Sequence, residues 1–141
     1  MKPVQIVIDT NVFVSALRND KSASFYLLSR IGTGEYATNI SVPLIMEYEA
    51  VATRHLNQTN LSAADLNDIL DYICSVSTRH TISYLWRPFL KDPKDDFVLE
   101  LAVQSGSQCI ITFNKKDFTD ISKFGIKALT PWEFLTKRGL L

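Results

Sequence analysis

Two short apolar runs, Val4–Ile8 and residues 108–112, dominate the pattern of hydrophobic and polar positions along the chain. Each run is nearly continuous and rich in β-branched residues, as is typical of strands covered on both faces in a parallel sheet between helices. Each also stops abruptly at small polar residues and an acid. Neighbouring parallel strands end at the same rim of a sheet, where α/β proteins bind their ligands. The pattern therefore predicts an α/β fold that delivers polar side chains to this rim.

Amphipathic segments and weaker apolar runs fill the rest of the chain and predict its other elements. We expect residues 1–141 to form one domain, an α/β/α sandwich with a twisted, mainly parallel central sheet of four to five strands flanked by helices. Helices are predicted over residues 11–18 and 23–31, from 41 onward, over 62–77, from 97 to about 105, and over 130–135. Strands are predicted over residues 4–8, 36–40, 80–85, 108–112 and 126–129.

Composition and charge exclude several classes of protein. The chain is 46% hydrophobic and 21% charged, which is typical of a globular protein. Fifteen basic and fifteen acidic residues give a net charge of zero, so no global field draws the chain to nucleic acid or to an anionic membrane. No apolar run approaches the ~20 residues of a membrane span, so we expect a cytoplasmic protein without membrane contact. Cys74 and Cys109 lack a CxxC spacing and read as packed thiols.

The third predicted helix carries an acid on its apolar face. Leu44, Glu47, Tyr48 and Val51 follow the i, i+3, i+4, i+7 spacing of one helix face. An ionised carboxylate buried without a partner costs several kcal/mol, so Glu47 needs a cation, a hydrogen-bond donor or a position at the edge. An edge position with a basic partner is the structural alternative to a functional role.

An acidic stretch, Asp92, Pro93, Lys94, Asp95 and Asp96, precedes the apolar helix that begins near residue 97. Asp92 as N-cap with Pro93 in the first turn would explain part of this stretch without any chemistry. Asp95, however, shares a helix face with apolar residues and should point inward. Asp92 therefore fits the cap, whereas Asp95 fits a site.

The ends of the two buried strands offer further candidates. Asp9 either caps the first helix or serves a site, and Thr10 and Asn11 are the better candidates for the cap, supporting the site from there. After the second run, Lys115 and Lys116 suit phosphate contacts, although a solvated turn explains them equally well. Asp117 follows them directly.

Carboxylates from four separate segments are thus expected to converge: those of Asp9, Glu47, Asp95 and Asp117. Clustered acids raise one another's pKa, so such a group is tolerable mainly around a cation. Oxygen ligands without clustered His or Cys favour Mg²⁺ or Mn²⁺ over zinc. A metal-activated water could then attack a phosphodiester. The chain lacks GxxxxGK[ST] and GxGxxG motifs, which argues against an NTPase or a dinucleotide enzyme.

Taken together, these motifs resemble those of PIN-domain proteins, and the chain is similar to the ribonuclease toxins of VapBC-type toxin–antitoxin modules over essentially its whole length. The matching pieces are residues 8–11 (IDTN), Glu47, residues 92–96 (DPKDD) with 99–102 (LELA), and residues 111–118 (ITFNKKDF). The resemblance implies a twisted parallel sheet between helices. It also implies three or four acids that bind Mg²⁺ or Mn²⁺, and metal-dependent endoribonuclease activity.

By position, the resemblance makes Asp9, Glu47 and Asp95 the three central catalytic and metal-binding acids, with Asp117 as the more variable fourth. Further candidates beside the metal are Asp92, Asp96, Thr112 and Asn114. The implied partners are an RNA substrate, a small antitoxin and a second copy of the chain in a homodimer. Basic residues that could contact the RNA are Arg87, Lys91, Lys94, Lys115 and Lys116. Two alternatives stay open: a housekeeping nuclease that matures RNA, and a PIN-like module that binds RNA or protein without catalysis.

Overall fold

A single parallel sheet organises the fold. The computed structural model describes residues 3–82 and 93–141, of which residues 93–95 are described by their backbone alone. In these two ranges, five strands lie in the order β3-β2-β1-β4-β5, and every neighbouring pair is parallel. The strands are β1 (Val4–Ile8), β2 (Tyr36–Ile40), β3 (Thr78–Arg79), β4 (Cys109–Ile111) and β5 (Lys127–Leu129). The predicted parallel sheet is therefore confirmed, with β1 at its centre.

Within the described residues, six α-helices accompany the strands, and short polar side chains cap most of them. The helices are α1 (Thr10–Arg18), α2 (Ala23–Ser29), α3 (Val42–Arg54), α4 (Ala63–Val76), α5 (Pro93–Ser105) and α6 (Pro131–Lys137). Ser22, Ser41, Ser62 and Thr130 each accept a hydrogen bond from an N–H in the first turn, as N-cap residues do. Among the described residues, no helix has the length and apolar character needed to cross a bilayer.

Helices cover both faces of the sheet, as two adjacent residues of β2 show. Successive side chains of a strand point to opposite faces. The Thr38 hydroxyl lies 2.6 Å from the hydroxyl of Ser77, at the end of α4. The Asn39 amide donates to the hydroxyl of Ser107, just after α5, at 3.3 Å. The two helices therefore lie on opposite faces, which confirms the predicted α/β/α layers, and β1 between them is almost fully buried from Ile6 to Ile8.

The strand order creates a switch point beside β1. From β1 the chain adds β2 and β3 toward one edge, then returns to place β4 on the other side of β1. Ile8 pairs with Ile111, and the N–H of Asp9 donates to the Ile111 carbonyl at 2.9 Å. The residues that follow both strands, Asp9 and Thr112, are thereby brought together. Open α/β sheets bind ligands at this position.

Several predicted element boundaries differ from the structure, in which α5, for example, begins at Pro93 rather than near residue 97. The structure has β3 at Thr78–Arg79, paired with the last two residues of β2, Asn39 and Ile40, and residues 80–82 of the strand predicted over 80–85 are not in a strand. The N–H of His80 still donates to the Ile40 carbonyl at 2.9 Å, but β2 ends there and offers no further partner. Residues 83–85 lie outside the part of the chain that the structure describes. The second helix ends at Ser29 rather than residue 31, because the next two N–H groups bond to carbonyls only three residues back.

Candidate functional site

Asp9 lies where β1 passes directly into α1. Its backbone is extended, with φ −69° and ψ 152°, and its carboxylate Oδ1 accepts a hydrogen bond from the Thr10 N–H at 2.9 Å. Asp9 is thus the N-cap of α1, and the prediction that Thr10 or Asn11 caps this helix was wrong. No loop separates strand from helix, so the last extended residue is the acid itself. Capping therefore does not exclude a functional role for the same residue.

The Thr112 hydroxyl holds the other oxygen of this carboxylate. It donates to Asp9 Oδ2 at 2.8 Å and accepts the N–H of Asn114 at 3.0 Å. The Asn11 amide nitrogen lies 3.5 Å from the same hydroxyl, and its amide oxygen accepts the N–H of Phe113 at 3.4 Å. Thr112 is completely buried. The residues after β4 are thereby fixed against the start of α1, and both Asp9 oxygens meet neutral donors.

Glu47 joins this group from α3. It is half-buried, and its Oε1 accepts a hydrogen bond from the Thr10 hydroxyl. Thr10 therefore bridges the two acids, with its N–H on Asp9 and its hydroxyl on Glu47. The ion pairs within the described residues lie elsewhere, between Arg30 and Glu35 and between Lys115 and Glu133. The basic partner that would have made Glu47 a structural edge residue is not found in that part of the chain.

Burial and charge both act on Asp9, which is 7% exposed. Desolvation raises the pKa of Asp9 above its usual value, while the hydrogen bonds from Thr112 and Thr10 lower it. The negative charges of Glu47 and Asp117 raise this pKa further. The ionised form of Asp9 is therefore destabilised by its surroundings, and a cation placed beside it would favour that form.

Tyr48, the neighbour of Glu47 in sequence, supports Asp9 from below. Its hydroxyl donates to the carbonyl of Ile8, the last residue of β1, and its ring stacks on Phe13 with centroids 4.5 Å apart. Burial first, and then the charges of Asp9 and Glu47, hold the pKa of Tyr48 well above its usual range. Tyr48 thus stays protonated and fixes the end of the strand that carries Asp9.

The remaining acidic candidates differ in how far the structure describes them. Asp117 is exposed in a 3-10 turn over Lys115–Asp117, near enough for its charge to act on Asp9. Asp96 is buried on α5, and so is Glu100 one turn later, which the sequence reasoning did not single out. The spacing of four residues between Asp96 and Glu100 in an apolar helix could have indicated that both lie on the same helix face. The backbone of Asp95 lies in the first turn of α5, whereas its side chain and all of Asp92 fall outside the described part.

The basic candidates are only partly described. Lys115 is exposed, and its ammonium contacts both Glu133 oxygens at 2.9 and 3.0 Å. An RNA phosphate would therefore have to compete with that ion pair. Lys116 and Asn114 are exposed in the same segment. Arg87 and Lys91, and the side chain of Lys94, lie outside the described part of the chain.

The donor set fits a hard divalent ion. Among the side chains that the structure describes, no three Asp, Glu, His or Cys residues lie close enough together to hold one metal ion. Asp9 and Glu47, linked by Thr10, provide two carboxylates. Mg²⁺ is usually held by one or two carboxylates together with waters and substrate phosphates, and Mn²⁺ accepts the same oxygen ligands. Two carboxylates at a switch point meet that requirement.

Comparison with known proteins identifies one related family. The family model described as PIN domain matches residues 5–116. That span contains Asp9, Glu47 and Thr112 and ends one residue before Asp117. No curated protein shows significant similarity to the chain.

Proposed function

The chain belongs to the PIN-domain family, whose members are generally nucleases, and on that premise we propose that it is a metal-dependent endoribonuclease. Its metal, Mg²⁺ or Mn²⁺, would be held by Asp9, Glu47 and Asp95, with Asp117 outside this ligand set because no three acids of the described residues lie close enough together to share one ion. Asp92, Asp96 and Asn114 are secondary candidates for contact with the ion or its waters. PIN nucleases act on RNA, which makes RNA the substrate in this proposal.

One observation carries the proposal: within the described residues, the carboxylates of Asp9 and Glu47 at the switch point accept hydrogen bonds from neutral donors and form no ion pair. Asp9 is buried, its two oxygens meet an N–H and a hydroxyl, and Glu47 meets another hydroxyl. Removing a carboxylate from water costs several kcal/mol unless an opposite charge compensates. A helix cap alone requires neither the second acid nor the burial. A bound cation supplies the missing charge.

In the proposed reaction, the residues of the site and the metal ion would have different roles. When bound, Mg²⁺ supplies Lewis acidity to the phosphodiester and to the attacking water. Thr10 and Thr112 orient the carboxylates of Asp9 and Glu47 before the ion arrives, which limits the reorganisation needed during the reaction. Only Oε1 of Glu47 is hydrogen-bonded within the described residues, so its second oxygen is available to the ion or to a water.

The test of catalysis compares the purified protein with the variants Asp9→Asn and Glu47→Gln on RNA. Mg²⁺ or Mn²⁺ should support cleavage, EDTA should abolish it, and each variant should lose about a hundredfold or more in rate. Asp68→Asn is the matched control, because Asp68 is an exposed acid on α4, and it should cleave like wild type. Cleavage by Asp9→Asn at the wild-type rate would refute the catalytic role.

Metal binding provides an independent readout. A ligand present at a hundred times its Kd stabilises a protein by about 2.7 kcal/mol, so Mg²⁺ or Mn²⁺ should raise the unfolding temperature of wild type. Asp9→Asn and Glu47→Gln should lose that shift, whereas Asp68→Asn should keep it. RNA binding without any metal-dependent shift or cleavage would instead identify a module that has lost catalysis.

We further propose that this nuclease is the toxin of a toxin–antitoxin module, a role supported by the resemblance of its motifs to VapBC-type toxins. A small open reading frame for the antitoxin should then lie beside the gene. Expression of the wild-type chain alone should arrest growth, and Asp9→Asn should not. Harmless expression, combined with accumulation of unprocessed RNA after gene deletion, would instead show a housekeeping nuclease.

A further inference from the structure

Phe113 presents an aromatic ring to solvent at the rim of the candidate site. It follows Thr112 directly, and 47% of its surface is exposed. Phenylalanine is usually buried, and in this chain Phe13 and Phe134 are almost completely so. The exposed ring of Phe113 therefore stands one residue away from the hydroxyl that holds Asp9.

Hydrogen bonds on both sides fix the backbone that carries this ring. The N–H of Phe113 donates to the Asn11 amide oxygen at 3.4 Å. On either side, the Thr112 hydroxyl bonds to Asp9, and the N–H of Asn114 bonds back to the Thr112 hydroxyl. The ring is thus carried by the same network that positions the carboxylate. A nucleic acid whose phosphate is held near Asp9 through a metal ion would place its neighbouring groups near Phe113, which follows the Thr112 that bonds to Asp9.

We propose that Phe113 is the residue that stacks on an unpaired base next to the scissile phosphate. Exposed aromatic rings bind single strands in this way because every base has a flat face, whereas the bases of a duplex are already stacked and inaccessible from the side. Lys116, exposed three residues further on, adds a positive charge for the adjoining phosphates. The proposal rests on the proposed ribonuclease function and adds to it the residue that distinguishes single strands from duplexes.

Binding measurements test the stacking without cleavage. With Asp9 intact and Ca²⁺ in place of Mg²⁺ to hold the RNA without supporting cleavage, fluorescence anisotropy with a labelled single-stranded RNA oligonucleotide should show roughly tenfold weaker binding for Phe113→Ala than for wild type. Phe113→Trp should restore the affinity. Binding of a duplex of the same sequence should be unaffected by either change. Phe25→Ala is the matched control, because Phe25 is 41% exposed on α2, and it should leave RNA affinity unchanged.

A set of oligonucleotides with single abasic positions locates the stacked base. The loss caused by Phe113→Ala should vanish when the abasic position is the one next to the cut, because the ring then has no partner. An equal loss for single strands and duplexes, or an unchanged affinity for single strands, would overturn the proposal. If wild type cleaves RNA and Phe113→Ala binds it equally well, the stacking role alone fails. If wild type neither binds nor cleaves RNA, the proposed function fails as well.

Discussion

Thr112→Val isolates the hydroxyl that holds Asp9. The substitution keeps the shape of the side chain but removes a donor that lies 2.8 Å from Asp9 Oδ2. Hydrogen bonds to charged groups contribute about 1.5–3 kcal/mol, and Thr112 is too deeply buried for water to replace the hydroxyl. We expect the free energy of unfolding to fall by about 2 kcal/mol. Thr112→Ser keeps the hydroxyl and loses one methyl group, so it should cost only about 0.8 kcal/mol.

A double-mutant cycle shows whether the loss of stability caused by Thr112→Val depends on the charge of Asp9. With Asp9→Asn the bond to Thr112 becomes neutral and is worth about 0.5–1.5 kcal/mol. The cost of Thr112→Val should therefore shrink by about 1 kcal/mol in that background. Urea denaturation at pH 7 in EDTA measures all four proteins. An identical cost in both backgrounds would refute the view that this hydroxyl stabilises the ionised carboxylate.

Three further predictions concern stability. Burial raises the pKa of Asp9, so Asp9 contributes most to the free energy of unfolding below its unfolded pKa, and this contribution is lost as the pH rises through its folded pKa. Asp9→Asn should therefore be more stable than wild type at pH 7 in EDTA. Urea denaturation at falling pH should show this advantage disappear toward pH 3.8. Tyr48→Phe keeps the stack on Phe13 but removes a buried donor, so the free energy of unfolding should fall by about 1–2 kcal/mol in the same assay. An unchanged stability would contradict the role of Tyr48 in holding β1. Lys115→Ala breaks an exposed ion pair with Glu133 and should cost less than about 1 kcal/mol, a cost that should shrink in high salt; a larger, salt-independent loss would contradict the surface assignment.

The central part of the fold was predictable because buried strands have a recognisable local sequence, a continuous apolar run. β1 and β4 are apolar on both faces, and only a strand between two helix layers needs that composition. The capping box of Ser62 and Asp65 likewise marks the start of α4 within four residues of sequence. β3 has no such local sequence pattern. Its two residues form a strand because the end of β2 is available for pairing, and that pairing partner lies far away in the chain.

The acids of the site were easier to anticipate than the groups that hold them. A carboxylate that ends an apolar run, as Asp9 does, is conspicuous in sequence. The bond from Thr112 to Asp9 spans 103 residues, and that from Thr10 to Glu47 spans 37. Threonines are common in turns and caps, so sequence alone does not show that the register of β1 and β4 sets Thr112 against Asp9, or that Thr10 faces Glu47. Thr10 was predicted as a cap for that reason, and its bridging role emerged from the packing of α3 against α1.

The charge balance of the site explains why a cap and a metal ligand can be the same residue. The N-terminus of α1 carries a partial positive charge that favours the Asp9 carboxylate, as in any capped helix. Burial nevertheless raises the pKa of Asp9, and Glu47 and Asp117 add negative charge, so the cap interactions compensate the site only in part. The chain has no net positive charge to attract RNA, and this pocket by itself repels a phosphate. Under the proposed function, a divalent cation therefore does more than activate water, because it also reverses the sign of the potential that the RNA backbone meets.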